Sequence, residues 1–105
     1  MTDKLLILTT AGSEAEARKI AEGLVERRLA ACVNIVPRIQ SVYRWEGKLE
    51  EAEEFLLLIK TSKPREEQVR AAITELHSYE LPECIAISIA SGSAEYLKWI
   101  GESVS

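Results

Sequence analysis

A chain of 105 residues, 47% of them hydrophobic, has material for one domain spanning residues 1–105 with one modest core. Its 17 acidic residues against 13 basic ones leave a formal charge of −4, which argues against a nucleic-acid partner, since polyphosphate binding needs basic surface. No apolar run approaches the roughly 18 residues of a membrane span. The run Leu5 to Leu8 behind Met1 is too short for a secretory leader, so a cytoplasmic protein is expected.

In chain order, Leu5 to Leu8 reads as a buried strand closed by Thr9-Thr10-Ala11-Gly12. Ser13-Glu14-Ala15-Glu16 has the Ser-x-x-Glu form of a capping box and opens a helix. Ala17, Ile20, Ala21, Leu24 and Val25 follow at helical spacing and should face the core. The helix should end near Arg27-Arg28, where cations suit the negative end of its dipole.

Two extended arms come next. One runs from Ala30 to Tyr43-Arg44-Trp45, and the other returns through Phe55 to Thr61 after a turn at Glu46-Gly47-Lys48. Arms of about fifteen residues at roughly 3.3 Å each would reach on the order of 50 Å. A domain of this length has a radius of gyration of only about 13 Å. The tip, with Tyr43 and Trp45, should therefore project and be covered by a neighbouring copy. Pro37 cannot donate to a ladder and marks a bulge or an edge. Ala31, Val33 and Ile35 share a face before it, and Ile39, Ser41, Tyr43 and Trp45 share one after it. The run Glu50 to Glu54 suits a helix on propensity alone, but the pairing makes it strand. Its charges would either bind hard cations loosely or protect a solvated edge.

Lys63-Pro64 opens a second helix with the stripe Val69, Ala72, Ile73 and Leu76. A polar loop from His77 to Pro82 leads to a strand from Cys84 to Ala90, with Ile85, Ile87 and Ile89 on one face. Ser93 caps a last helix with Tyr96, Leu97 and Ile100 inward. The order β-α-β-β-α-β-α predicts an α+β, ferredoxin-like sandwich with a long hairpin and a C-terminal helix.

Four segments carry a resemblance. Ala31-Cys32-Val33-Asn34, Ser41-Val42-Tyr43-Arg44-Trp45-Glu46-Gly47, Glu54 with Leu57-Leu58-Ile59-Lys60-Thr61, and His77-Ser78-Tyr79-Glu80-Leu81-Pro82-Glu83 resemble the CutA divalent-cation-tolerance family in order and spacing. The resemblance implies a ferredoxin-like trimer that binds copper or another divalent cation weakly near inter-subunit clefts. Ser78 stands where that family usually has proline, which frees the backbone and adds an N–H.

Candidate ligands are few. His77 beside Glu80 could hold a divalent cation, or the segment could be a polar turn at a helix C-terminus. Cys32 is a soft donor, yet its apolar neighbours favour a core thiol. The resemblance raises both readings, giving Cys32, His77 and Glu80 as the metal set. Cys84 reads as core, and in a reducing compartment neither cysteine is expected in a disulfide. No Cys-x-x-Cys or His-x-x-x-His pattern supports a structural zinc site. Glu54 and Lys60 share a face with Leu56 and Leu58, as befits a cleft between subunits. Tyr43, Trp45, Tyr79 and Trp99 could line it, or simply pack an interface. One histidine, no Gly-x-Ser-x-Gly and no phosphate loop argue against an enzyme. Two functions compete: a homotrimeric metal-tolerance protein, and a PII-like signalling or scaffold trimer that binds a small anion or a partner protein.

Overall fold

The computed structural model describes residues 2–105. Strand β1 (Lys4–Ala11) alternates strictly at first: Leu5, Ile7, Thr9 and Ala11 are buried under helices, while Leu6 and Leu8 stay half-buried on the other face. Ser13 caps helix α1 (Glu14–Glu26), its Oγ accepting from the Glu16 N–H at 3.2 Å. The capping box is only half made, because the Glu16 side chain is committed elsewhere, as described below. Ala17, Ile20, Ala21 and Leu24 are buried as expected, but Val25 is 43% exposed. It sits about 100° further round the helix than Leu24, past the edge of the stripe. The helix stops where the sequence indicates, through a Schellman arrangement. Arg28 turns left-handed (φ 59°), the Leu29 N–H bonds the Leu24 carbonyl at 2.9 Å, and Leu29 tucks into the core.

Strands β2 (Cys32–Trp45) and β3 (Lys48–Ser62) form the long hairpin, and the acidic run is strand. Glu46 and Gly47 both have positive φ, as a two-residue type I′ turn requires. The bulge falls at Pro37. Val36 pairs with Leu56 and Ile39 with Glu54, so Pro37 and Arg38 together face Phe55, with Arg38 at φ 60°. For this sequence the extra residue reverses the sidedness of β2. Val33 and Ile35 pack against the helices, whereas Ile39, Ser41, Tyr43 and Trp45 lie on the side of Glu54.

A 3-10 turn (Lys63–Arg65) leads into helix α2 (Glu66–Leu76), which buries Val69, Ala72 and Ile73. Strand β4 spans only Ile85–Ser88, shorter than the expected Cys84 to Ala90; it pairs with Leu5 to Leu8 of β1, and beyond it only the Ile89 N–H still bonds the Lys4 carbonyl, at 3.0 Å. Sheet order is β2-β3-β1-β4, antiparallel throughout, with α1 and α2 on one face. This is the ferredoxin-like arrangement. Helix α3 (Ala94–Ser103) closes the end of the sheet where β1 begins. Ile100 is buried and Leu97 half-buried, but Tyr96 is exposed and lies against Lys60 rather than in the core.

β1 supports β3 only from Phe55 onward. The outer hairpin, Ile39–Trp45 against Lys48–Glu54, has no third strand, and the molecule measures 44 × 25 × 22 Å. The second face of the sheet is left open. It presents Leu6, Leu8, Leu56 and Leu58 with Ile85 and Ile87, the last two about half exposed.

Candidate functional site

At one end of the open face, the outer hairpin and the loop after α2 border an open cavity of about 560 Å³. The hairpin contributes Ser41, Tyr43, Trp45 and Glu54, the loop contributes Tyr79, Glu80, Leu81 and Glu83, and Thr10 forms the floor. The bulge puts the two hairpin aromatics on this side, and the loop is placed by His77.

The His77 ring is fully buried. Its Nε2 lies 2.5 Å from the Thr10 carbonyl, which can only accept, so Nε2 carries the proton. Nδ1 accepts from the Tyr79 N–H at 3.1 Å, and the two rings pack with centroids 4.4 Å apart. Both ring nitrogens are thus engaged, and His77 works as a wedge between β1 and the loop. The Glu16 side chain supports the same loop from α1. Its Oε2 accepts from the Ser78 N–H at 3.1 Å, a donor that a proline at this position would lack. Its Oε1 is buried without a hydrogen bond, 3.4 Å from His77 Nδ1.

Deep in the cavity, the Tyr79 hydroxyl donates to Glu54 Oε2 at 2.7 Å. Gly12 makes room for it, since a Cβ there would lie 3.0 Å from the Tyr79 hydroxyl oxygen. Burial, reinforced by the Glu54 carboxylate, pushes the phenol's pKa up, so Tyr79 remains a donor. Glu54 is only 6% exposed, and among the described residues neither it nor Glu80 nor Glu83 has a cationic partner.

Lys60 shares the sheet face with Glu54 but belongs to its other end. Its Nζ lies 3.3 Å from the Tyr96 hydroxyl and 5.6 Å from the ring centroid. Trp99 stacks near Tyr96 on α3, with centroids 5.4 Å apart, and does not line the cavity. Cys32 is not a core residue. It pairs with Lys60 on the open face and is half-buried, while the core position belongs to Val33. Its row crosses β1 at Leu6, roughly 13 Å along the strand from Thr10 and the His77 loop. Cys32, His77 and Glu80 therefore do not come together. Among the described residues no three His, Cys, Asp or Glu side chains converge on a metal position. Cys84 packs against the core as expected, and burial raises its thiol pKa.

In the sequence Gly12 reads as the close of a strand and Glu16 as part of a capping box, and nothing local indicates that both serve a loop more than sixty positions away. Glu83 stands out from the chain only as the end of the His77–Glu83 segment, yet it lines the cavity.

The family model for the CutA1 divalent ion tolerance protein matches residues 5–103. The chain belongs to the CutA divalent-cation tolerance family. It is 48% identical over 98 residues to the divalent-cation tolerance protein CutA of Thermus thermophilus, covering 93% of this chain and 95% of that one. It is 46% identical to a CutA homolog of Xenopus laevis, of which it spans 63%. Solved CutA structures superpose closely. That from Xylella fastidiosa has a TM-score of 0.97 at 40% identity, covering 99% of this chain and 100% of that one. The structure from Archaeoglobus fulgidus, described as periplasmic, has a TM-score of 0.94 at 45% identity, covering 97% and 99%. In this member of the family, no helix among the described residues is long and apolar enough to cross a membrane.

The Tyr79 hydroxyl, held against Glu54, has a measurable consequence. In the unfolded chain tyrosine ionises near pH 10, while the folded chain holds the Tyr79 proton to higher pH. The stability this represents is fully present below pH 10 and is lost as pH rises towards the folded value. Cys84 adds a loss that begins near pH 8.5. Tyr79→Phe is expected to flatten the fall in urea-unfolding stability between pH 9 and 11. An unchanged slope would mean that the phenol sits in water.

Proposed function

We propose that this chain is a non-enzymatic, cytoplasmic homotrimer that binds divalent cations weakly, copper foremost, in the cavity at the base of the hairpin arm. The observation that supports this most is the set of three carboxylates, Glu54, Glu80 and Glu83, in one cavity that no cationic side chain among the described residues lines. Oxygen donors suit hard cations, and Cu(II) heads the divalent order at N/O sites. Without converging donors the binding is weak. The ligands proposed here are these carboxylates, because the nitrogens of His77 are already engaged. The open apolar face and the unsupported outer hairpin argue for the trimer, since a two-stranded ribbon alone is marginal in water. Two free thiols suit a reducing compartment. A small anion is a poorer guest for a cavity lined by carboxylates.

Calorimetric titration with Cu(II) and Zn(II) tests the metal reading. Carboxylate ligation predicts affinity that drops in Glu80→Gln with Glu83→Gln. Affinity unchanged in that double variant would remove these carboxylates as ligands. The absence of any metal binding would remove this reading altogether.

A further inference from the structure

Two opposite charges stand at the two ends of the apolar open face, and neither has a countercharge. The rows of the sheet from Glu54 to Lys60 are otherwise uncharged. Leu56 and Leu58 separate the two on β3, with Leu6 and Leu8 of β1 and Ile85 and Ile87 of β4 alongside. Glu54 is more than nine-tenths buried and Lys60 is half-buried. Each is held by one neutral phenol. The Tyr79 hydroxyl donates to Glu54 at 2.7 Å, and the Tyr96 hydroxyl lies 3.3 Å from Lys60 Nζ. A phenol orients a charge but does not neutralise it. No ion pair among the described residues includes either side chain. Along the strand they are roughly 20 Å apart, so they cannot meet within one chain.

We propose that a neighbouring copy completes the Glu54 cavity, its Lys60 ammonium pairing with the Glu54 carboxylate. The inference rests on the trimer of the proposed function and names the groups that set its register. Covering the apolar face with a second copy buries both charges, and each is costly there unless the two meet. A contact in which the Lys60 end of one face meets the Glu54 end of the next satisfies both. Such a contact is head-to-tail, and in a closed ring every Glu54 and every Lys60 is used once. Lys60 is the one cation set among these apolar rows, whereas Arg38, Arg44 and Lys48 are exposed at the bulge and along the outer hairpin. With Glu54 paired, Glu80 and Glu83 remain as oxygen donors for a metal cation.

The test is a double-mutant cycle on the full chain, read by sedimentation and light scattering as the concentration at which the assembly dissociates. The spacing makes the cycle decisive. Changes roughly 20 Å apart in one chain act independently, so any coupling between them has to pass through a second copy. Glu54→Gln and Lys60→Met should each raise the dissociation concentration about tenfold or more, because each leaves the other charge buried alone. The double variant should lie within about threefold of the worse single, since no lone charge is then left. Single effects that multiply in the double variant, or a Lys60→Met chain that assembles as the parent does, overturn the proposal. If Glu54→Gln fails to fold, Lys60→Glu and Lys60→Arg take its place. Lys60→Glu sets two carboxylates against each other and should scatter as one chain with its far-UV circular dichroism retained, while Lys60→Arg should assemble. A Lys60→Glu assembly as stable as the parent's overturns the proposal. A parent that scatters as one chain overturns the trimer and this pair together, whereas a parent trimer with independent single effects overturns the pair alone.

Discussion

Aspartate at Ile87 is expected to leave a folded chain that no longer assembles. Ile87 lies on β4, 49% exposed in the single chain, on the open face beside Leu6. In the single chain a charge there reaches water, and surface changes of this kind cost little. Against a neighbouring copy the same carboxylate would be buried without a partner, at a cost of several kcal/mol per interface. Light scattering of the parent should give about three times 11.7 kDa, and Ile87→Asp should give about one chain mass with its far-UV circular dichroism retained. A parent that scatters as one chain at micromolar concentration, or a variant as large as the parent, would mean that this face is not the subunit contact.

The second large effect separates the two faces of one strand. Ile59 is fully buried under the helices in the part of β3 that pairs with β1, and Ile59→Ala should cost about 2–5 kcal/mol. A domain of this size has roughly 5–15 kcal/mol in all, so the loss is a large share of its stability. Leu58, the next residue, points to the open face and is half-buried in the single chain. If water covers that face, Leu58→Ala should cost well under half as much as Ile59→Ala. If neighbouring copies cover it, the two costs should be similar. Denaturant unfolding at several protein concentrations reads both, and an Ile59→Ala loss below about 1 kcal/mol would contradict the packing described.

Much of the fold is legible in the chain because local signals agree. Ser13, Pro37, Gly47, Pro64 and Ser93 mark helix starts, a bulge and a turn at positions where backbone chemistry permits little else. The failures share a different cause. Cys32 and Val33 are both apolar, so alternation cannot tell which of them faces the helices; the sheet pairing decides it. Tyr96 fits a helical stripe, but the nearby Lys60 draws it to the open face. His77 is of a type that binds metals, yet its ring is spent on Thr10 and Tyr79, contacts that no sequence window contains. The cavity's carboxylates come from β3 and from the loop after α2, and only the folded sheet brings them together.

The missing third strand along the outer hairpin grades the backbone of β2 and β3 from end to end. Inside the bulge, every rung of the ladder is flanked by β1 and roofed by helices, so breaking it means unfolding the domain. Outside the bulge, a rung can open with no loss of buried core. In the single chain the same two strands should thus hold both strongly protected and readily exchanging amides, with the boundary at Pro37 and Arg38. Whatever settles on the outer hairpin, be it a neighbouring copy or a guest in the cavity, acts on a ribbon that its own chain supports on neither edge.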